Sequence, residues 1–294
     1  MRVAVLGNGS IGKRHARNLH ALGYRVSLID SNPDVTSEAA GELDLVLDQC
    51  DAAIVCVPTA FHLRIFKKCL EHNLPVYLEK PACSIRDIPE LEDIAQRTDL
   101  PTIMVGYQLR YHRDIIALHK RTPFEFARLS CECDMQTWQG VSSRGNFILE
   151  MSHEIDLALH LGAGPLCSFS NVNGQSKQVR MGFDGGFSVH LNGASPEYRR
   201  SWDVTWPSQL KWPSAGHQNI SGPGLYTTIS PEQIRIQYPT PERLGNTMYV
   251  NAMRSFMALA ETRRQPSRGC TLQQAIDVMK IVQEVDYGHA TRTR

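Results

Sequence analysis

The chain has 294 residues, with 31 lysines and arginines against 30 aspartates and glutamates, and a formal net charge of +1. This near neutrality excludes a strong field for nucleic acid or a membrane surface, so neither is an expected partner. No apolar run approaches the ~20 residues of a membrane-spanning helix, and the N-terminus is predicted to be a core strand rather than a signal peptide. The eight cysteines lack disulfide-framework or metal-ligand spacing. We therefore expect a reduced, cytoplasmic protein of two domains without a metal site.

A glycine-rich turn follows the first predicted strand. The apolar segment Arg2–Leu6 leads into Gly7-Asn8-Gly9-Ser10-Ile11-Gly12, and a helical pattern follows at 13–22. In such a G-x-G-x-x-G motif the first glycine makes a tight turn, the second lets a pyrophosphate approach the backbone, and the third allows close helix packing. The N–H groups at the start of the helix then face the phosphates. The expected ligand is a dinucleotide.

An acidic residue ends the second predicted strand, at 24–29. Asp30 lies near the spacing at which an acid accepts hydrogen bonds from the adenosine ribose of a bound dinucleotide. Its carboxylate would repel the 2′-phosphate of NADP, and no arginine follows it immediately to compensate. NAD is therefore expected in preference to NADP.

Strands and helices alternate over the first part of the chain, which predicts a parallel sheet with helical crossovers. Residues 1–120 are accordingly predicted to form a doubly wound Rossmann domain. Besides the first two strands, we predict strands at 52–57, 75–78 and 102–106, helices at 37–41, 61–72 and 88–96, and a weak apolar segment at 43–47.

The pattern changes after residue 120. Alternating apolar and polar residues predict half-exposed antiparallel strands, so residues 121–294 are predicted to form an α+β domain on a mostly antiparallel open sheet. The clearest strands are at 126–133, 187–191 and 233–237, and amphipathic helices are predicted at 147–161, 248–263 and 272–285. The loop structure of 162–241 is not predicted.

Ligands of doubly wound sheets bind beyond the carboxyl ends of the strands. In addition to the glycine turn and Asp30, this rule selects Val57-Pro58-Thr59, Glu79-Lys80-Pro81 and Gly106-Tyr107-Gln108. Lys80 could act on a substrate from this position, or it could be a surface lysine paired with Glu79.

A second polar cluster lies at 150–156, inside the predicted helix 147–161. On a continuous helix Glu150 and His153 would share one face. A histidine with a carboxylate one turn away can be a general base whose tautomer the carboxylate fixes. An ion-paired helix face without any catalytic role fits the same pattern, so both interpretations stay open from spacing alone.

Several stretches together resemble the Gfo/Idh/MocA oxidoreductase family, over nearly the whole chain and most weakly at 162–241. Glu79-Lys80-Pro81 matches the family's E-K-P turn, and Val57-Pro58-Thr59-Ala60-Phe61-His62 matches its P-T-x-x-H turn. Gly106-Tyr107-Gln108-Leu109-Arg110-Tyr111-His112 matches the R-Y-H segment. In the second domain, Ser152-His153-Glu154-Ile155-Asp156 matches the substrate-domain helix motif, and 246–256 matches the penultimate helix.

This resemblance implies NAD- or NADP-dependent hydride transfer to or from a secondary alcohol of a sugar, a sugar nucleotide or a cyclitol. It implies that Lys80 holds the substrate hydroxyl and that His153, oriented by Glu150, takes its proton. The second domain is expected to bind substrate and to form a homodimer or homotetramer. Further candidate ligands are Arg110 and His112 for the substrate, and Val57, Pro58, Thr59, His62, Glu79, Lys80 and Gln108 for the cofactor.

Two departures from the family pattern accompany the resemblance. Many relatives carry an aspartate four residues before the helix histidine, where this chain has Leu149, and the R-Y-H segment usually continues with proline rather than Arg113. Two other functions also fit the same motifs. One is an NAD-assisted glycosidase that oxidises C3 of a sugar transiently, and the other is a non-catalytic regulator that binds the nucleotide.

Overall fold

The computed structural model describes residues 1–29, 43–120, 122–134, 147–171, 178–205, 225–230, 233–238 and 244–287. Its strands are β1 (Arg2–Leu6), β2 (Arg25–Ile29), β3 (Ala52–Val55), β4 (Val76–Leu78), β5 (Ile103–Val105), β6 (Phe126–Asp134), β7 (Leu166–Asn171), β8 (Gln178–Phe183), β9 (Phe187–Asn192), β10 (Ala194–Thr205), β11 (Leu225–Ser230) and β12 (Gln233–Tyr238). Its helices are α1 (Ser10–Ala21), α2 (His62–Glu71), α3 (Ile88–Ala95), α4 (Arg113–His119), α5 (Phe147–Glu150), α6 (His153–Leu161), α7 (Thr247–Thr262) and α8 (Leu272–Tyr287). In this part of the chain, no helix is both long and apolar enough to cross a membrane.

The chain divides by its internal contacts into two units. The first contains Met1–Tyr111 and Asn246–Lys280, and the second contains His112–Gly245 and Ile281–Arg294. Residues 246–280 therefore group with the N-terminal sheet, whereas the change of pattern after residue 120 predicts that they belong to the second domain.

The first unit is built on a parallel sheet of five strands, in the order β2-β1-β3-β4-β5. Its central strands are buried, as their continuous apolar runs predicted. The register pairs Leu6 with Val55 and Val55 with Leu78, so the segments that follow β1, β3 and β4 begin at the same edge of the sheet. The predicted Rossmann architecture is thereby confirmed. Residues 43–47, which had looked only weakly apolar, are helical, and the helix predicted at 37–41 lies outside the described residues.

Contacts made by the C-terminal helical segment account for its place in the first unit. Asn246, just before α7, donates its Nδ2 hydrogen to Oδ1 of Asn18 on α1 at 2.8 Å. The N–H of Val105 on β5 donates to the carbonyl oxygen of Cys270, before α8, at 2.8 Å. The amphipathic pattern showed that these helices have a buried face, but a pattern carries no information about which sheet that face covers.

The second unit is built on a sheet of seven strands, in the order β11-β12-β10-β6-β9-β8-β7. Neighbouring strands are antiparallel except for β6 and β9, which are parallel. The mostly antiparallel sheet is thus confirmed, and it contains four strands that were not predicted individually, β7, β8, β10 and β11. One face is apolar and α6 packs on it, with Leu129 and Val189 completely buried.

The helix predicted at 147–161 is interrupted. The N–H of Ser152 donates to the carbonyl oxygen of Leu149, three residues back, at 3.4 Å, and a new α-helical ladder starts with Asp156 N–H donating to Ser152 at 3.0 Å. The break falls between Glu150 and His153, because α5 ends at the first and α6 begins at the second. The argument that these two residues share a face of one continuous helix is therefore wrong.

A buried ion pair joins α6 to the sheet. Nε of Arg200 on β10 lies 2.5 Å from Oε1 of Glu154, and both side chains are almost completely buried. Burial works to lower the pKa of Arg200, but the Glu154 carboxylate raises that pKa well above its usual value. The guanidinium therefore remains charged inside the second unit.

Removing one partner of this pair should lower the free energy of unfolding far more than removing one partner of an exposed ion pair on β10. We expect Glu154→Ala to lower the free energy of unfolding by about 3–5 kcal/mol, because the Arg200 charge is then buried alone. The control is Glu197→Ala, which removes the partner of Arg199, and its effect should be about 0–1 kcal/mol because the two side chains are 77% and 52% exposed. Urea unfolding followed by circular dichroism measures both, and equal losses would contradict the assigned role of the buried pair.

Candidate functional site

Two glycines of the N-terminal turn are required by the protein's own packing. Gly7 has φ +111°, and a Cβ atom there would lie 2.6 Å from the carbonyl oxygen of Cys56. A Cβ atom on Gly12 would lie 1.9 Å from the carbonyl oxygen of Gly7. The first glycine thus permits the tight turn beside β3 and the third permits the close approach of α1, which are the roles expected in a nucleotide-binding turn.

Gly9 differs from Gly7 and Gly12. Its backbone is extended, and a Cβ atom there would meet no described atom within 4 Å. Neither conformation nor packing therefore requires glycine at this position, but a ligand that approaches the backbone would. Gly9 is also the N-cap of α1, whose first turn contains no acidic residue. Such a helix start suits an anion, since N–H groups and the positive dipole end point outward.

Two buried amide oxygens occur in segments that follow strands. Oδ1 of Asn8, after β1, and Oε1 of Gln108, after β5, have no hydrogen-bond partner within the described part of the chain. A buried acceptor without a donor is costly, and such groups are commonly completed by a ligand or by water. Both were predicted to contact the cofactor, and hydroxyl or amide donors of a dinucleotide fit their chemistry.

Glu79 is engaged inside the protein. Its Oε1 lies 2.6 Å from Nε2 of His15 on α1, and its Oε2 accepts the backbone N–H of Lys80 at 3.1 Å. A Cβ atom on Gly106 would lie 2.9 Å from Oε2. The structure therefore places the Glu79 carboxylate between neighbouring elements, and Lys80 itself is only partly exposed beside it.

His15 is a residue that the sequence analysis did not select. It is completely buried, and its ring packs against that of Tyr77 at an interplanar angle of 64°, with the ring centroids 5.4 Å apart. The only local signal is a polar residue on the buried face of a helix. Its partner Glu79 lies 64 positions away, and no sequence pattern links the two.

His62, predicted to contact the cofactor, uses both ring nitrogens within the protein. Nδ1 lies 2.6 Å from the carbonyl oxygen of Pro81, and Nε2 lies 2.7 Å from that of Val57. The ring is 2% exposed. The structure thus places His62 between the segments after β3 and β4. Of the remaining predicted cofactor ligands, Ser10 and Pro58 are exposed, Ile11 and Thr59 are partly exposed, and Asp30 lies outside the described residues.

Arg110 and His112, predicted to contact the substrate, have internal partners in their own units. Arg110 is 2% exposed, and its Nη1 donates to the carbonyl oxygen of Gly269 at 3.2 Å and to Oε1 of Gln274 at 2.8 Å. Nδ1 of His112 accepts the N–H of Asp114 at 3.2 Å and so caps α4. Burial lowers the pKa of His112, although Asp114 opposes that effect, so this ring is neutral at pH 7.

The second unit holds the predicted acid–base residue. His153 is the first residue of α6 and is 8% exposed. Glu150 is the last residue of α5, and its side chain is not described. The described residues contain no group of three or more histidine, cysteine, aspartate or glutamate side chains that could hold a metal ion.

Comparison with known proteins identifies relatives for this chain. It is 30% identical over 135 residues to an inositol 2-dehydrogenase of Mycolicibacterium vanbaalenii. The matched region covers 40% of this chain and 39% of the relative. It is 27% identical over 177 residues to a UDP-N-acetylglucosamine 3-dehydrogenase of Acidithiobacillus ferrooxidans, which covers 56% of each. The chain therefore matches about half or less of the length of these curated relatives.

The fold matches solved structures over almost the entire chain. A scyllo-inositol dehydrogenase of Lactobacillus casei, crystallised with NAD(H) and scyllo-inositol, aligns with a TM-score of 0.66 at 14% identity over 97% of this chain and 95% of the other. At that identity the likeness establishes the fold. The family model described as "Oxidoreductase family, NAD-binding Rossmann fold" matches residues 1–107. Residues 1–107 are therefore similar to the Gfo/Idh/MocA oxidoreductases, the family that the motifs predicted.

Proposed function

We propose that the protein is an NAD-dependent oxidoreductase that acts on a secondary alcohol of a sugar, a sugar nucleotide or a cyclitol. The observation that carries the proposal is Gly9, which the protein's own packing does not require, at the start of α1 and within the residues that match the NAD-binding family. The names of the curated relatives, an inositol dehydrogenase and a dehydrogenase of a UDP-linked amino sugar, support the substrate class. A cytoplasmic location and a homodimeric or homotetrameric assembly remain predictions.

The first unit offers groups suited to each polar part of NAD. The first turn of α1 would hold the pyrophosphate through backbone N–H groups. The amide oxygens of Asn8 and Gln108 would accept hydrogen bonds from the cofactor. Asp30 would bind the adenosine ribose, and its charge would disfavour a 2′-phosphate. Bound in this way, NAD supplies the hydride acceptor, and the protein supplies placement and electrostatics.

Lys80 and His153 have different proposed roles in the reaction of the substrate hydroxyl. The Lys80 ammonium would donate a hydrogen bond to the reacting oxygen and stabilise its partial negative charge. The His153 imidazole would take the hydroxyl proton as hydride leaves the carbon, and would return it in the reverse reaction. Glu150 remains a proposed partner for His153, across the break between α5 and α6. Glu79, His62, Arg110 and His112 would serve this chemistry by positioning other groups.

The proposal is tested first by titrating the protein with NADH and with NADPH, followed by nicotinamide fluorescence. We expect NADH to bind more tightly than NADPH, because Asp30 repels the 2′-phosphate of NADPH. Asp30→Ala should reduce the difference between the two dissociation constants. A panel of sugars, sugar nucleotides and inositols is then assayed with NAD by absorbance.

Turnover of one class with NADH formation supports the proposal. Hydrolysis of an aryl glycoside without accumulation of NADH would assign the NAD-assisted glycosidase instead. Tight cofactor binding without turnover of any compound would favour the regulator, and failure to bind either nucleotide would contradict the proposal at its first step.

A substitution at Gly9 separates ligand binding from folding. Gly9→Ala should leave the unfolding midpoint unchanged, since the new Cβ meets nothing, yet weaken NADH binding about tenfold by obstructing the phosphates. Gly12→Ala is the contrasting variant and should lose about 1–3 kcal/mol of stability because its Cβ overlaps Gly7. Full NADH affinity in Gly9→Ala would contradict pyrophosphate binding at this turn.

Substitution of Lys80 or His153 should impair the chemical step far more than it impairs cofactor binding. We expect Lys80→Met to lower kcat about 10²–10³-fold. His153→Asn should lower kcat about 10²–10⁴-fold and leave the Kd for NADH unchanged. The controls are Lys67→Met, at a lysine that is 48% exposed on α2, and His20→Asn, at an exposed histidine on α1. Turnover at the wild-type rate in either test variant would remove that residue from the mechanism.

A further inference from the structure

We propose that two buried histidines, His15 and His62, position Lys80 by holding the residues on either side of it. We call this pair the histidine clamp. His15 holds the side chain of Glu79, and His62 holds the backbone carbonyl of Pro81. The importance of the clamp for catalysis rests on the proposed function of Lys80, whereas its geometry can be tested independently.

The first half of the clamp acts through the Glu79 carboxylate. A carboxylate that is only 5% exposed needs hydrogen-bond donors, and Nε2 of His15 at 2.6 Å provides one. The other carboxylate oxygen accepts the backbone N–H of Lys80 at 3.1 Å. A continuous chain of hydrogen bonds therefore runs from α1 to the backbone of Lys80, and loss of the His15 donor would release the carboxylate that holds this N–H group.

The second half acts on the other side of Lys80. His62 lies between two carbonyl oxygens, 2.6 Å from that of Pro81 and 2.7 Å from that of Val57. A carbonyl oxygen only accepts, and a neutral imidazole carries one N–H group, so both contacts are hydrogen bonds only if the ring is an imidazolium. Short distances are typical of hydrogen bonds with a charged donor. A proton on Nδ1 alone already joins the ring to Pro81, and the ring lies between the segments after β3 and β4.

This arrangement connects the proposed cofactor segments to the proposed catalytic lysine. His15 is on the helix that starts at the glycine turn, and His62 begins the helix that follows Val57-Pro58-Thr59. Any displacement of the Lys80 backbone moves its ammonium relative to the reacting oxygen, and misplacement by about 1 Å costs on the order of a hundredfold in rate. The clamp residues act through Glu79 and Pro81, so they are positioning residues and not catalytic residues.

The test uses the two amides that imitate the two nitrogens of histidine. Glutamine carries its amide nitrogen at the reach of Nε2, and asparagine carries it at the reach of Nδ1. His15 contacts Glu79 through Nε2, so His15→Gln preserves the donor and His15→Asn removes it. His62 contacts Pro81 through Nδ1, so the preference reverses: His62→Asn preserves that bond, and His62→Gln preserves only the bond to Val57.

Two measurements by NMR require no turnover. The Lys80 amide of the full chain should exchange with solvent about tenfold faster in His15→Asn than in wild type, and at nearly the wild-type rate in His15→Gln. The imidazole spectrum of the ¹⁵N-labelled wild type at pH 7 should show a proton on Nδ1 of His62, the nitrogen that faces Pro81, assigned by the loss of its signal in His62→Asn. Unchanged Lys80 exchange in all variants, or a His62 ring without a proton on Nδ1, would overturn the clamp.

The kinetic arm follows kcat and the Kd for NADH with the substrate found in the panel. We expect kcat to fall about 10- to 100-fold in His15→Asn and His62→Gln, and clearly less in His15→Gln and His62→Asn. The Kd for NADH should be unchanged in both His15 variants. Equal losses for both amides at each position would overturn the positioning role. If wild type turns over no alcohol, the proposed function fails while the NMR results still decide the clamp.

Discussion

The parallel pairing of β1, β3 and β4 is the constraint on which the rest of the first unit depends. The register aligns Leu6, Val55 and Leu78, so the three segments that follow these strands start side by side. One of them is the glycine turn, one leads to His62, and one carries Lys80. Because the strands are buried and apolar, a shift in register would disrupt the core, and the core thereby keeps these polar segments together.

The glycine turn combines two kinds of demand on the same residue type. The fold requires Gly7 and Gly12, because side chains there would collide with the backbone of Cys56 or of the turn itself. Neither of these two collisions would arise at Gly9, so the glycine there indicates a ligand. The hydrogen bonds around Lys80 have the same dual character, since His15 and His62 bury their rings in the core while they hold backbone and carboxylate groups at its edge.

The second unit shows where local pattern succeeds and where it fails. Alternation of apolar and polar residues located β6, β9 and β12 correctly, because one face of each strand is buried against the core. The same reasoning predicted one helix over 147–161, and the break after Glu150 was missed because a single i→i−3 hydrogen bond at Ser152 leaves no mark on periodicity. The sequence pattern did not predict the Arg200–Glu154 ion pair either, because its two residues are 46 positions apart.

The sequence by itself determined the parallel sheet, the glycine turn, the mostly antiparallel second sheet and the similarity to a known family. Each of these depends on spacing within a short segment or on a motif. The tertiary structure alone decided that α7 packs with the N-terminal sheet, that Arg110 and His112 have internal partners, and that His15 meets Glu79. These outcomes depend on which distant segments the fold brings into contact. The free energy of a buried hydrogen bond depends on the partner within about 3 Å, and the local pattern around either residue carries no record of that partner.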